Sequence, residues 1–293
     1  MTQKETRRIA FCSFKGGAGR TVALANVAVG LAKRGYVVGC IDLDIESCGL
    51  NQVFGITEVS PNRVVQTYFL NDYYWRLLEL GGTRPLFSET KEFESLIMDV
   101  GGNPKFAREG EKIYLIPALP QPKVTAAALR NENIKECTAS LFRQFESHKK
   151  LDYLLIDCRS GVSTLTLPGL RWSHEVLLFF RPGKQHREGT KAMINWLIHD
   201  RKSRLEQLYG DEKDPQLPEV FSLVATAVPE EAKEDILSWM RSMSSNEVRA
   251  LQIIRDYNKL RTAEEIFEWS TKPACESIGA DFDELTSKII SEK

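Results

Sequence analysis

Apolar residues in this chain arrive in short unbroken runs, and between the runs they recur at helical spacing. The runs Ile9–Phe14, YVVGCIDLD (36–44), IYLIPAL (113–119), YLLIDC (153–158), EVLLFF (175–180) and VFSLVATAV (220–228) have strand length and no polar face. Strands of that kind are buried on both sides, as in a parallel sheet covered by helices. A weaker strand is expected at ALQII (250–254). The intervening TVALANVAVGLAKRG, NENIKECTASLFRQFESHKK and REGTKAMINWLIHDRKSRLEQLYG read as helices. The first of these ends on Lys33, Arg34 and Gly35, a cationic last turn followed by a glycine stop. Alternation of this sort predicts an α/β fold with a doubly wound, mostly parallel sheet and helices on both faces. One domain over residues 1–293 is expected, with a break in the alternation at about 60–111. There the aromatic-rich YFLNDYYWRLLEL reads as part of an inserted helical subdomain packed on the core, or as a partner-docking surface.

Composition narrows the class. The 293 residues are 42% hydrophobic and 27% charged, with a net charge of -1. Nothing in that balance draws the whole chain to nucleic acid or to an anionic membrane. The six cysteines (Cys12, Cys40, Cys48, Cys137, Cys158, Cys275) form no CxxC pair, and the four histidines are scattered. A disulfide framework and a zinc centre are therefore not expected. The polar start MTQKETRRIAF resembles no signal peptide, and no apolar run approaches the ~18 residues of a membrane span. A cytoplasmic protein without membrane insertion is expected.

Chemistry concentrates at strand ends. SFKGGAGRT (13–21) follows the first strand and opens the first helix, so backbone N–H groups and the positive helix end face an anion. Gly16, Gly17 and Gly19, with Ala18 between them, allow backbone to wrap phosphates closely. Thr21 lies in the first helical turn, where a hydroxyl can ligate Mg²⁺, and Val22 follows it. Against the pattern G-x-x-x-x-G-K-[ST], Phe14 replaces the first glycine, Arg20 replaces the lysine, and Lys15 stands in front of the glycines. Asp42 and Asp44 alternate with Ile41 and Leu43, so both carboxylates face one side of a strand end. Such a pair needs a cation or a proton between its members. The strand LDYLLID ends on Asp157, as a Walker B carboxylate does.

KGGAGRT, IDLD and LLIDCRSG together resemble the deviant Walker A ATPases of the ParA/MinD family over residues 7 to about 260. The resemblance implies a P-loop NTPase fold, ATP and Mg²⁺ as cofactors, and a homodimer that sandwiches two ATP molecules. Lys15 is then the signature lysine reaching the partner subunit's nucleotide, and Phe14 is no defect. Thr21, Asp42 and Asp157 would serve the metal, and Asp44 would orient the attacking water. The loop residues from Gly16 to Val22 would bind the nucleotide. IESCGLNQ and CRSG would be the two switch segments. Arg20 would take over the phosphate contacts of the missing lysine, although arginine is longer and forked. The sequence fits a KGGxGR[ST] branch carrying D-x-R-x-G after Walker B, which makes Arg159 a contact to phosphate or to a switch; the alternative is a surface salt bridge.

The family's adenine-recognising asparagine on a late strand is replaced here by Ala225, Thr226 and Ala227. RPGKQHREGT (181–190) and IIRDYNKLR (253–261) remain as walls for the base. The function implied is a slow, partner-stimulated ATPase and dimerisation switch acting on an unidentified protein partner. Two alternatives stand beside it: a nucleotide-bound scaffold without turnover in a bacterial signalling or defence system, and a DNA-segregation ATPase. Arg201, Lys202 and Arg204 could meet DNA, but a short charge run is more often a solvated helix face. Glu264–Lys293 carries eight acidic and three basic residues, net -5, which disfavours a basic membrane-binding helix. The same stretch lacks the tyrosine cluster of the related tyrosine kinases. No cysteine motif suggests an iron–sulfur reductase.

Overall fold

The computed structural model describes residues 5–56, 68–79, 93–101, 103, 110–119, 134–163, 165–199, 218, 220–262, 269 and 271–291. Eight strands form one sheet: β1 (Arg7–Ser13), β2 (Val38–Asp42), β3 (Met98–Asp99), β4 (Ile113–Ile116), β5 (Tyr153–Asp157), β6 (Glu175–Phe180), β7 (Val220–Val228) and β8 (Val248–Arg255). Their order is β3-β4-β2-β5-β1-β6-β7-β8. All pairs are parallel except β3 with β4. The two-residue edge strand β3 lacks any periodic signature, which explains its absence from the sequence reading. Around the sheet lie α1 (Arg20–Lys33), α2 (Gly49–Val53), α3 (Leu70–Glu79), α4 (Ile134–Lys149), α5 (Thr166–Trp172), α6 (Lys184–His199), α7 (Lys233–Met243), α8 (Asn258–Thr262) and α9 (Glu276–Ser291).

Each central strand divides its side chains between two cores. Ile9, Phe11, Val38, Cys40, Tyr153, Leu155, Leu177 and Phe179 pack on one face with α1 and α9. Ala10, Cys12, Ile41, Leu154, Ile156, Val176, Leu178 and Phe180 pack on the other with α4, α6 and α7. Burial on both faces is why these strands read as continuous apolar runs. α1 ends as its sequence predicts: Gly35 has φ 85, its N–H reaches Ala32 O, and the Tyr36 N–H reaches Leu31 O. This is the paired geometry of a Schellman stop. β4 closes at Ile116, earlier than the run to 119, because Pro117 has no N–H for the ladder.

β8 is longer than the ALQII expectation. Ala250 sits opposite Leu223 and Gln252 opposite Val224, so Leu251 is an inserted residue. A bulge interrupts the period-2 alternation that sequence reading depends on. In the 60–111 region, Tyr73 and Tyr74 of α3 are buried in the core while Trp75 is exposed. The rest of the inserted subdomain expected there lies largely outside the described residues. α9 buries Ile278, Phe282, Leu285 and Ile289 in the α1-side core, so its apolar face is covered by protein. Among the described residues, no helix is long and apolar enough to cross a membrane.

Candidate nucleotide site

The topology brings the quoted motifs to one edge of the sheet. β1, β2 and β5 are neighbours, and Asp42 lies directly opposite Asp157 in the β2–β5 register. β1 runs between β5 and β6, so its C-terminal loop opens at the point where connections leave in opposite directions, the usual ligand crevice of an open α/β sheet. The loop after β1 turns through Gly17 (φ 72) and Gly19 (φ 78). A side chain on Gly16 or Gly17 would project into open space, which leaves a backbone-lined concavity. Gly19 is the N-cap of α1, has no side-chain cap, and is followed by no acidic residue in the first turn. The helix thus presents uncapped amides and an uncompensated positive end.

Behind the loop lies a buried ionic cluster. Asp42, Asp44, Asp157 and Arg20 are each at most 8% exposed. Arg20 Nη2 stands 3.5 Å from Asp44 Oδ2, and its Nε 3.6 Å from Asp157 Oδ1. Its Nη1 donates to Ser13 Oγ, and Ser13 Oγ donates in turn to the Lys15 carbonyl. Thr21 Oγ1 donates to Asp157 Oδ2 at 2.6 Å. Asp42 accepts the Asp44 N–H at 3.0 Å and the Leu50 N–H at 3.2 Å. Burial, then repulsion from Asp157, pushes the Asp42 carboxyl well above the usual range. Burial also pushes Asp157 up to about 6, against the opposing pull of Arg20 and of the Thr21 hydrogen bond.

A hard divalent cation fits this donor set. The residues offer a hydroxyl and carboxylates, the oxygen ligands that Mg²⁺ selects. Asp157 Oδ1 is buried without a hydrogen-bond partner, and so is the facing Arg20 Nε. Among the described residues, no group of three or more His, Cys, Asp or Glu is arranged to enclose a metal by itself. The remaining positions of such a shell fall to oxygens from outside the protein, water or ligand.

The remaining predicted residues are distributed around this centre. Lys15 leaves the cluster and donates from Nζ to Gln185 Oε1 at 2.6 Å, at the start of α6. Arg159 reaches Glu46 Oε2 at 2.5 Å, which ties the segment after Asp157 to the segment after Asp44. Ala18 is buried, and Val22 packs against the α1-side core while its carbonyl accepts Asn26 Nδ2. Phe14 is exposed on one face, and its ring lies over Gly189 of α6. A Cβ there would fall 2.0 Å from that ring, so an aromatic at 14 and a glycine at 189 are one feature. His186, beside Arg181 and Lys15, is lowered by burial first and by those two cations next, which marks the rim of the loop as cationic.

Several contributors were not legible in the sequence. Ser13, Glu46, Gln185 and Gly189 belong to no motif. Thr226 of β7 donates to Ala18 O at 2.8 Å and holds the loop to that strand. Residues 184–190 of the base-wall candidate form the first turns of α6 at the loop mouth. In the other candidate, Tyr257 donates to Asp281 and Ser277.

A loop of this shape, joined to paired strand-end carboxylates on a parallel sheet, defines a P-loop nucleotide-binding protein. A family model described as an AAA domain, AAA_31, matches residues 6–208. The chain belongs to this ParA/MinD-type family of P-loop ATPases. The septum site-determining protein MinD of Guillardia theta is 28% identical over 158 residues, which are 54% of this chain and 46% of that protein. The chain spans about half the length of the curated relatives it matches. MinD of Pyrococcus horikoshii, solved in complex with Mg-ADP, has a TM-score of 0.61 at 19% identity and covers 97% of this chain and 96% of its own. The MinC:MinD cell division complex of Aquifex aeolicus gives a TM-score of 0.65 at 18% identity, covering 98% and 97%. At these identities the structural likeness establishes the fold.

Proposed function

We propose that this chain is an ATP-driven dimerisation switch. It binds Mg²⁺-ATP in the 15–22 loop, associates face to face with a second copy, and separates after slow hydrolysis. The observation that carries this reading is the separation of its two loop cations. Arg20 is buried among carboxylates, whereas Lys15 stands at the loop mouth on a neutral glutamine. A lysine placed there is free to exchange one amide oxygen for phosphate oxygens of a facing subunit.

In this reading the amides of Gly16, Gly17, Ala18 and Gly19 bind the phosphates, and Val22 extends the nucleotide contact along α1. Thr21 and Asp157 hold the cation, with Asp42 in support. Mg²⁺ would supply charge neutralisation on the phosphate oxygens. Asp44 orients the attacking water, and Arg20 stabilises charge developing on the phosphate. The Arg159–Glu46 contact couples the two switch segments, so that a change at the phosphates reaches an outer surface where a protein partner is regulated.

Light scattering with and without Mg²⁺-ATP tests the reading. The wild type is expected to dimerise with ATP. Lys15→Ala should stay folded, lose the ATP-dependent dimer and lose on the order of 10³-fold in turnover, the scale set by cations supplied in trans. A Lys15→Ala protein that dimerises and hydrolyses normally would overturn the assignment. A scaffold without turnover is the second reading, favoured by the prior neutralisation of the carboxylates by Arg20. Phosphate release equal to that of Asp44→Ala would select it. For DNA, Arg201, Lys202 and Arg204 lie outside the described residues, and a steep salt dependence of binding would be its signature.

A further inference from the structure

We propose that Arg20 is a built-in counter-ion of the carboxylate cluster: its guanidinium takes the place of a divalent cation between Asp44 and Asp157, so that metal enters with the nucleotide and not before it. This rests on the reading of Thr21, Asp42 and Asp157 as the metal side of a nucleotide pocket. It goes further by assigning Arg20 a second position, used when no nucleotide is bound.

Three features carry it. The first is charge. Three carboxylates lie in a space where none is more than 8% exposed, and Arg20 is the cation that reaches two of them. Without a positive group there, their mutual repulsion would be weakly screened.

The second feature is the quality of the contacts. At 3.5 and 3.6 Å they are ion-pair separations, longer than a charged hydrogen bond. Neither Arg20 Nε nor Asp157 Oδ1 has a hydrogen-bond partner. The pair is held by charge and not by a directed bond, so a cation of equal or greater charge replaces it without breaking a hydrogen bond between the two. The oxygen left unsatisfied is also one that a cation or its bound water could take up.

The third feature is shape. One guanidinium presents Nη2 to Asp44, Nε to Asp157 and Nη1 to Ser13 at the same time. A lysine ammonium is a point charge and cannot span those three directions. The replacement of lysine by arginine in this loop therefore has a use in the nucleotide-free protein as well as at the phosphates. Arg20 donates to Ser13 Oγ, which donates onward to the Lys15 carbonyl, so departure of Arg20 removes a bond one step from the backbone of the loop-mouth lysine.

The test is titration of the full chain with Mn²⁺ alone, read by electron paramagnetic resonance, for wild type, Arg20→Lys and Arg20→Met. Arg20→Met should bind Mn²⁺ without nucleotide roughly tenfold or more tightly than wild type, with Arg20→Lys between them; coupling between sites commonly lies in that range. An affinity in Arg20→Met within about twofold of wild type would overturn the proposal. Because Arg20→Met places three buried carboxylates together and could fail to fold, a second measurement uses unaltered protein. The Arg20 Nε–H resonance should shift on adding Mg²⁺-ADP and stay in place with Mg²⁺ alone at the same concentration. Displacement by Mg²⁺ alone would overturn the proposal. Mg²⁺-ADP binding to the wild type, followed separately by calorimetry, decides the underlying nucleotide reading: its absence would defeat that reading while the metal-only titrations still report on Arg20.

Discussion

Two buried arginine–carboxylate clusters sit at opposite ends of the central strands, and they are built differently. At the N-terminal ends, Glu175 opens β6 and accepts from Arg7 at 2.8 Å, from Arg249 at 2.6 Å and from Ser222 at 2.7 Å. Arg249 also donates to Ser222, and Arg7 to the Ile289 carbonyl. Both Glu175 oxygens are occupied by short directed bonds. At the C-terminal ends, Arg20 meets Asp44 and Asp157 at 3.5 and 3.6 Å, and one atom on each side of the latter contact has no hydrogen bond. A cluster whose polar atoms are all paired locks the fold, whereas one left incomplete holds a binding site open for what will complete it. The same residue types are thus fully paired at one end of the sheet and incompletely paired at the other, the end proposed above to take the ligand.

Substitutions at the two ends should separate accordingly. Glu175→Ala removes the acceptor shared by two arginines and a hydroxyl, and should cost about 3 kcal/mol in denaturant unfolding, the lower end of the scale for breaking one side of a buried ion pair. A loss below about 1 kcal/mol would erase the contrast, since that is the level of an exposed pair. Asp157→Asn removes one of three crowded charges and an unsatisfied oxygen. Its nucleotide-free stability at neutral pH should stay level or rise by about 1–2 kcal/mol, with Mg²⁺-dependent nucleotide binding lost. A destabilisation as large as that of Glu175→Ala would show that the upper cluster is structural too.

Smaller effects refine the picture. Thr226→Val keeps the shape but leaves the Ala18 carbonyl without its donor. It should cost about 1 kcal/mol and weaken nucleotide binding several-fold in calorimetry, because the loop loses its tie to β7. Arg159→Ala breaks a half-exposed pair with Glu46 and should change stability by less than about 1 kcal/mol. Its turnover should change while the nucleotide affinity stays close to wild type, if the pair couples the two switch segments. Equal loss of affinity and turnover would instead place Arg159 on the phosphates.

Many of the residues gathered at this candidate site carry a local signature in the sequence. The glycine loop, Thr21, Asp42, Asp44 and Asp157 are each announced by local pattern, a glycine run before a helix or a carboxylate at the end of an apolar run. Parallel topology then carries strand ends to one edge. What escaped notice had no local signature. Gln185 meets Lys15 across 170 residues, and Glu46 meets Arg159 from a different strand end. Gly189 is an ordinary glycine until Phe14 is found lying over it.

The chain by itself thus determined the order of strands and helices, the phosphate loop and the carboxylates that face it, since each follows from steric and hydrophobic preferences acting over a few neighbouring residues. The tertiary structure alone decided the partners of the two loop cations: Arg20 turned inward to Asp44 and Asp157, and Lys15 turned outward to Gln185. Those choices depend on charge and distance between groups far apart along the chain, which only the folded sheet brings within reach of one another.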